Sequence, residues 1–145
     1  MRLLPALALM LIPTLTFAAQ PPRAEEMLNS IRANAGRAEL SLSPRLQAAA
    51  ESHAADMARR NYFSHKGRNG SRVGMRVKAQ GYRFCTVAEN IALGQRSVDQ
   101  VMREWFASPG HRQNMLAGKV TQYGMARARR DGGDIWVLVL ARPGC

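Results

Sequence analysis

Acidic side chains, cysteines, aromatics and long apolar runs are all scarce in this sequence, and each shortage narrows what the chain can be. Ten Asp and Glu stand against 21 Lys and Arg, for a formal net charge of +11 over 145 residues. An imbalance of that size bears on solubility and attraction to anionic surfaces, not on fold. Aromatics make up only 6% of residues and no basic run is longer than Arg129-Arg130, so the charge comes without the motifs of a sequence-specific nucleic-acid reader. There is no internal repeat and no low-complexity linker. A chain of this length with 46% hydrophobic residues suits one globular domain and leaves little room for a second.

The one long apolar run lies at the amino terminus. Arg2 precedes Leu3 to Phe17, which Pro5 and Pro13 interrupt and the small residues Ala18 and Ala19 follow. One positive charge, a short apolar core and a small-residue exit is the order of a secretory signal peptide. A membrane span is disfavoured, because the run falls short of the ~20 residues required and holds two prolines. Cleavage is expected near Ala18, so residues 1–18 are set apart from the fold and the remaining charge is +10. No cysteine near the cut points to a lipid anchor. A soluble monomer, secreted or periplasmic, is the expectation, since both destinations accept the same signal. In an oxidising compartment the only two cysteines, Cys85 and Cys145, read as one bridge. That leaves Cys85 as a nucleophile a disfavoured alternative, because a bridged sulfur cannot attack.

Along the rest of the chain, Arg23 to Asn34 has helical spacing and stops at Gly36. Leu40 and Leu42 are expected to plug into the core. Ser43 as N-cap with Pro44 behind it opens a helix to about Asn61. His53 lies on its apolar face and reads as a core histidine bonded to backbone. Tyr62 and Phe63 are expected to anchor the following loop while His65 points away from the core. Ser71 is expected to cap a shorter helix that ends at Gly81. Tyr82 to Leu93 reads as a strand, Ser97 with Gln100 as the start of a helix whose core anchors are Trp105 and Phe106, and Val120 to Ala141 as a hairpin turning at Asp131-Gly132-Gly133. The continuous apolar run Ile135 to Leu140 belongs to a central strand covered on both faces. This order suggests an antiparallel sheet between helical layers.

Two places carry chemistry. Alternation along the strand puts Glu89 in line with Cys85, Val87 and Ile91, a carboxylate on an apolar face. Such a group is costly to bury unless paired; His65 and His111, or a metal held by them, would resolve the conflict. The alternative is that the strand ends or bulges before Glu89 and the side chain reaches water. The second place is Trp105 to Leu116, where Pro109-Gly110 breaks a helix and presents His111 as the chain leaves regular structure.

Together Ala88-Glu89-Asn90-Ile91-Ala92, Phe63-Ser64-His65, the His53-to-Met57 helix and Ser108-Pro109-Gly110-His111-Arg112 resemble the CAP superfamily, the SCP domain of cysteine-rich secretory, antigen 5 and pathogenesis-related proteins, in a bacterial form. The resemblance covers about residues 24 to 142. It implies an α+β fold, an α-β-α sandwich with a three- or four-stranded antiparallel sheet. It also implies a cleft in which His65, Glu89 and His111 match two histidines and one acid, with zinc or another divalent ion on the histidine pair. The family's second acid would fall at Ser108, and Glu104 is a poor substitute for it. The missing acid favours a secreted binding module, for a lipid or anionic envelope component, over a metal-dependent hydrolase with Glu89 as base.

Overall fold

A computed structural model describes residues 21–145, with side chains from Arg23 onward. The expected signal peptide lies outside the described residues. Helix α1 (Pro21–Asn34) starts two residues ahead of the expected Arg23, because prolines are tolerated in a first turn whose N–H groups have no helical partner. Strand β1 (Ser41–Leu42) leads into α2 (Pro44–Arg59), where the Ser43 hydroxyl accepts the Leu46 amide at 3.4 Å. Then follow α3 (Val73–Ala79), β2 (Phe84–Leu93), α4 (Val98–Ala107), α5 (Pro109–Met115), β3 (Gln122–Ala128) and β4 (Ile135–Pro143).

The strands form one four-stranded sheet in the order β1-β3-β4-β2. The expectation of a wholly antiparallel sheet needs one correction: β1 runs parallel to β3, Ser41 against Gln122 and Leu42 against Tyr123. The chain makes this short pairing along the outer side of β3 before turning into α2, with the Ser43 amide donating to the Tyr123 carbonyl at 2.9 Å. β4 is central, as its apolar run requires. Trp136, Leu138 and Leu140 face a core with Leu28, Met102, Trp105 and Met115, while Ile135, Val137 and Val139 face Leu46, Met57 and Val77. Helices α1, α4 and α5 therefore cover one face and α2 and α3 the other, giving the α-β-α sandwich.

Two details hold the helical layers in place. Gly124 of β3 lies so close under α2 that a Cβ there would collide with the Gln47 amide nitrogen and the Leu46 carbonyl carbon and stand 2.6 Å from the Leu46 carbonyl oxygen. On the other face the fully buried Arg32 donates to the carbonyls of Ala38 (2.8 Å), Met115 (2.8 Å) and Ala117 (3.1 Å). That arginine ties the end of α1 to the end of α5, and burial pushes its pKa down. Cys85 and Cys145 are bridged, which staples the last residue of the chain to the sheet's edge strand β2. No helix of the described residues is long and apolar enough to cross a membrane.

Several expected core positions are not core. Leu40 is buried but Leu42 is 36% exposed, Phe63 is 44% exposed and Phe106 is 40% exposed. The buried stripe of α4 is Val101, Met102 and Trp105. Phe106 lies about a quarter-turn beyond Trp105 on the helix, where the Arg112 guanidinium covers its ring at 5.7 Å.

Candidate functional site

The site is built around the edge strand β2. Residues 87, 89 and 91 face α2 and α3, and residues 88, 90 and 92 face α4 and α5, since Glu89 pairs with Val139 and Asn90 with Leu138. Glu89 is 7% exposed and Asn90 is fully buried. The pairing with β4 is irregular between Phe84 and Thr86 but regular from Thr86 to Leu93, so the strand continues past the acid and the expectation of a carboxylate on a buried face holds. What resolves its cost is a pair of cationic or proton-donating neighbours. His65 Nδ1 donates to Glu89 Oε1 at 2.8 Å, and Arg76 Nη2 donates to Oε2 at 2.7 Å. The Arg76 side chain is nearly as buried as the acid, and its Nη1 is spent on the Ser71 carbonyl at 2.9 Å.

That second bond explains a difference at α3. The N-cap is Arg72, which makes no capping bond, and not Ser71; Ser71 contributes its carbonyl to Arg76 instead. The loop bearing His65 is fixed from below by His53, 2% exposed, whose Nε2 donates to the Ser64 carbonyl at 3.0 Å. Burial, then the nearby Arg76 charge, hold His53 below the ordinary histidine pKa. It is the core histidine that its helical position suggested.

His111 arrives from the opposite layer, and not on a loop. Pro109 sits at the start of α5, so His111 lies in that helix's first turn. Ser108 ends α4 and begins α5 at once, its amide donating to the carbonyls of Glu104 (3.1 Å) and Trp105 (3.2 Å). A proline thus stops one helix and starts the next, where the sequence pattern gives only a break. Asn90 Nδ2 donates to the His111 carbonyl at 3.1 Å, and Asn114 Nδ2 reaches both Asn90 Oδ1 (2.8 Å) and the Glu89 carbonyl (3.4 Å). Trp105 Nε1 donates to the Ile91 carbonyl at 3.3 Å. These bonds clamp α4 and α5 against β2. Burial first, and then the charge of His65, lower the His111 pKa.

Arg76, Asn90 and Asn114 are the residues that the sequence reading passed over. Asn90 stood beside Glu89 in the motif, and Arg76 lies on α3 three residues after Val73; neither spacing said what it would touch. Ser108 leaves the second acid missing. Glu104 is exposed and accepts from Gln95 at 2.5 Å and Gln100 at 2.9 Å, away from the cleft residues.

Comparison with known proteins gives a consistent picture. The sequence model of the cysteine-rich secretory protein family, CAP, matches residues 25–140. The uncharacterized protein YkwD of Bacillus subtilis (strain 168) is 34% identical over 112 residues, covering 77% of this chain and 42% of its own length. The chain thus spans about two fifths of that relative. An extracellular protein containing an SCP domain from Bacillus anthracis str. Ames is 26% identical with a TM-score of 0.74, over 83% of this chain and 39% of that one. An outer surface protein from Borrelia burgdorferi, 18% identical, shares the fold with a TM-score of 0.76 over 83% of this chain and 90% of its own.

Proposed function

Because the chain belongs to the cysteine-rich secretory protein family, CAP, we propose that it is an exported monomeric binding module whose His65–Glu89–His111 cleft takes a lipid or anionic envelope ligand. The observation that carries this reading is the state of Glu89. Both its oxygens are engaged, by His65 and by the buried Arg76, whereas a general base must be free to take a proton from water or substrate. With Ser108 at the second acidic position, the alternative of a metal-dependent hydrolase with Glu89 as base lacks both a free base and a partner acid. Exposed Phe63 and Phe106 stand two and five residues ahead of His65 and His111 and offer apolar surface next to basic charge. Export to the periplasm or the medium is supported by the disulfide and by the extracellular B. anthracis relative.

A divalent ion fits the cleft in part. With Nδ1 of His65 bonded to Glu89, its Nε2 is the nitrogen left to ligate, the arrangement in which a carboxylate orients a metal-bound imidazole. Among the described residues no group of three or more His, Cys, Asp or Glu side chains is arranged to hold a metal. His65 and His111 would thus supply two ligands, fewer than the three of a catalytic zinc site, and weak affinity is expected. When bound, the ion would act as a Lewis acid toward an anionic group of the ligand.

Zinc should raise the melting temperature of the wild type and not that of the His65→Ala, His111→Ala double variant; equal shifts would end the metal part of the reading. Extracted lipid or cell-wall material should be retained above a charge-matched basic control. Hydrolysis that disappears in a folded Glu89→Gln variant would replace the binding reading with the enzymatic one.

A further inference from the structure

From Met57 to Ala88 the sequence carries eight lysines and arginines and not one aspartate or glutamate. This stretch makes the end of α2, the loop with His65, α3 and the start of β2. It concentrates much of the molecule's positive charge in one supersecondary unit. Between α2 and α3 the structure leaves a cavity of about 350 Å³, on the helical side of Arg76 and apart from His65 and His111.

The walls of that cavity are those of an anion receptor. Three guanidinium side chains line it, Arg59, Arg60 and Arg76, with Ser52, Asn69 and Ser71 among the neutral groups able to donate hydrogen bonds. Asp56 is the single carboxylate in the lining. It is already satisfied, Oδ1 by Arg60 Nε at 2.9 Å and Oδ2 by the Tyr62 hydroxyl at 2.5 Å. Arg59 makes no ion pair or side-chain hydrogen bond among the described residues, and Arg76 is held rigid, nine-tenths buried, by Ser71 and Glu89. One pre-positioned guanidinium and one free one suit a planar-donor fork for oxyanions. The volume lies in the range of small-molecule pockets and leaves space for more than a bare ion.

We propose that the α2–α3 cavity is a binding site for a phosphate group, free or as a phosphate ester, gripped by Arg59 and Arg76. The site is separate from the cleft and does not depend on the cleft's ligand. Arg76 is nevertheless common to both, since it lines the cavity and holds Glu89 Oε2. An anion on the cavity side competes with Glu89 for the same guanidinium, so occupancy is felt at the Glu89–His65 hydrogen bond.

The test is a titration of inorganic phosphate into the isotope-labelled protein, followed by NMR at ionic strength held constant with chloride. Saturable shifts are expected at the amides of Asn69 and Ser71 and at the Arg76 Nε–H, with a smaller shift in the His65 ring. Arg59→Gln should weaken binding roughly tenfold, the value of about one charge-assisted hydrogen bond. Arg103→Gln, an exposed change on α4 in the other helical layer, should leave it unchanged. Shifts that follow ionic strength without saturating, or equal affinities for the two variants, overturn the proposal. Sedimentation with phosphatidylglycerol vesicles, against phosphatidylcholine, then identifies the source. Retention that Arg59→Gln weakens more than Arg103→Gln assigns the phosphate to a lipid head group, and equal retention of the variants assigns it to a soluble ester.

Discussion

Replacing Arg76 by methionine is the most direct way to ask whether the buried acid is held as described. The substitution keeps the side-chain stem and removes the guanidinium, leaving Glu89, whose side chain is 3% exposed, with His65 as its one remaining side-chain partner. Breaking a buried pair from one side costs about 3–5 kcal/mol. The low end applies because the His65 bond survives and its ring is 57% exposed to water that can help solvate the acid. A loss of about 3 kcal/mol, at roughly 3–5 °C per kcal/mol for a domain of this size, lowers the melting temperature by about 10–15 °C. Calorimetry on wild type, Arg76→Met, Glu89→Gln and the double variant gives the coupling directly. The double variant should be less destabilised than the sum of the singles by at least ~1.5 kcal/mol. Additive losses, or an Arg76→Met protein within about 1 kcal/mol of wild type, would show that the pair is not what keeps Glu89 in the interior.

Three further outcomes are expected. Gly124→Ala forces a methyl into the backbone of Leu46 and Gln47 and should cost about 3 kcal/mol or more in urea unfolding; a wild-type midpoint would mean that α2 slides at no cost. Because His53 has a lowered pKa in the folded protein, the unfolded chain takes up its proton first as pH falls below about 6.5. Stability should therefore be full above that value and decline toward the folded pKa, with a shallower decline in His53→Asn. Replacing Cys85 and Cys145 by serine opens a loop of 60 residues and should lower stability by up to about 4 kcal/mol on the chain-entropy model, read as a drop in the denaturant midpoint with a steeper slope, because the unfolded chain without its cross-link exposes more surface.

The features legible in the sequence were those that a local pattern decides. Ser43-Pro44 and Ser97 start helices through bonds made within one turn, and the apolar run of β4 needs cover on both faces wherever it sits. Glu89 was legible for the opposite reason, as an acid that alternation forces onto a buried face. What periodicity cannot supply is the partner across the fold. Phe106 keeps the helical spacing of a core residue, yet it falls on the rim of the buried stripe; Phe63 follows Tyr62 but projects outward. Arg76 has no spacing in the sequence that sets it apart from the other cations, and its pairing with Glu89 exists only where α3 packs against β2. The parallel pairing of β1 spans two residues, too few to leave an alternating signature. His111 was assigned to a loop because Pro109 is a helix stop in one direction and a helix start in the other, and only the chain's actual path chooses.

The clamp of α4 and α5 on β2 also bears on how this protein behaves at high concentration. An outermost strand ordinarily offers its free carbonyls and amides to any extended chain that approaches, the first step toward stacking of copies. Here the carbonyls of Glu89 and Ile91, two residues apart, are already met by Asn114 and Trp105. The Glu89–Ile91 stretch of the sheet's border is thereby already occupied, and a strand approaching it there would have to displace those side-chain bonds.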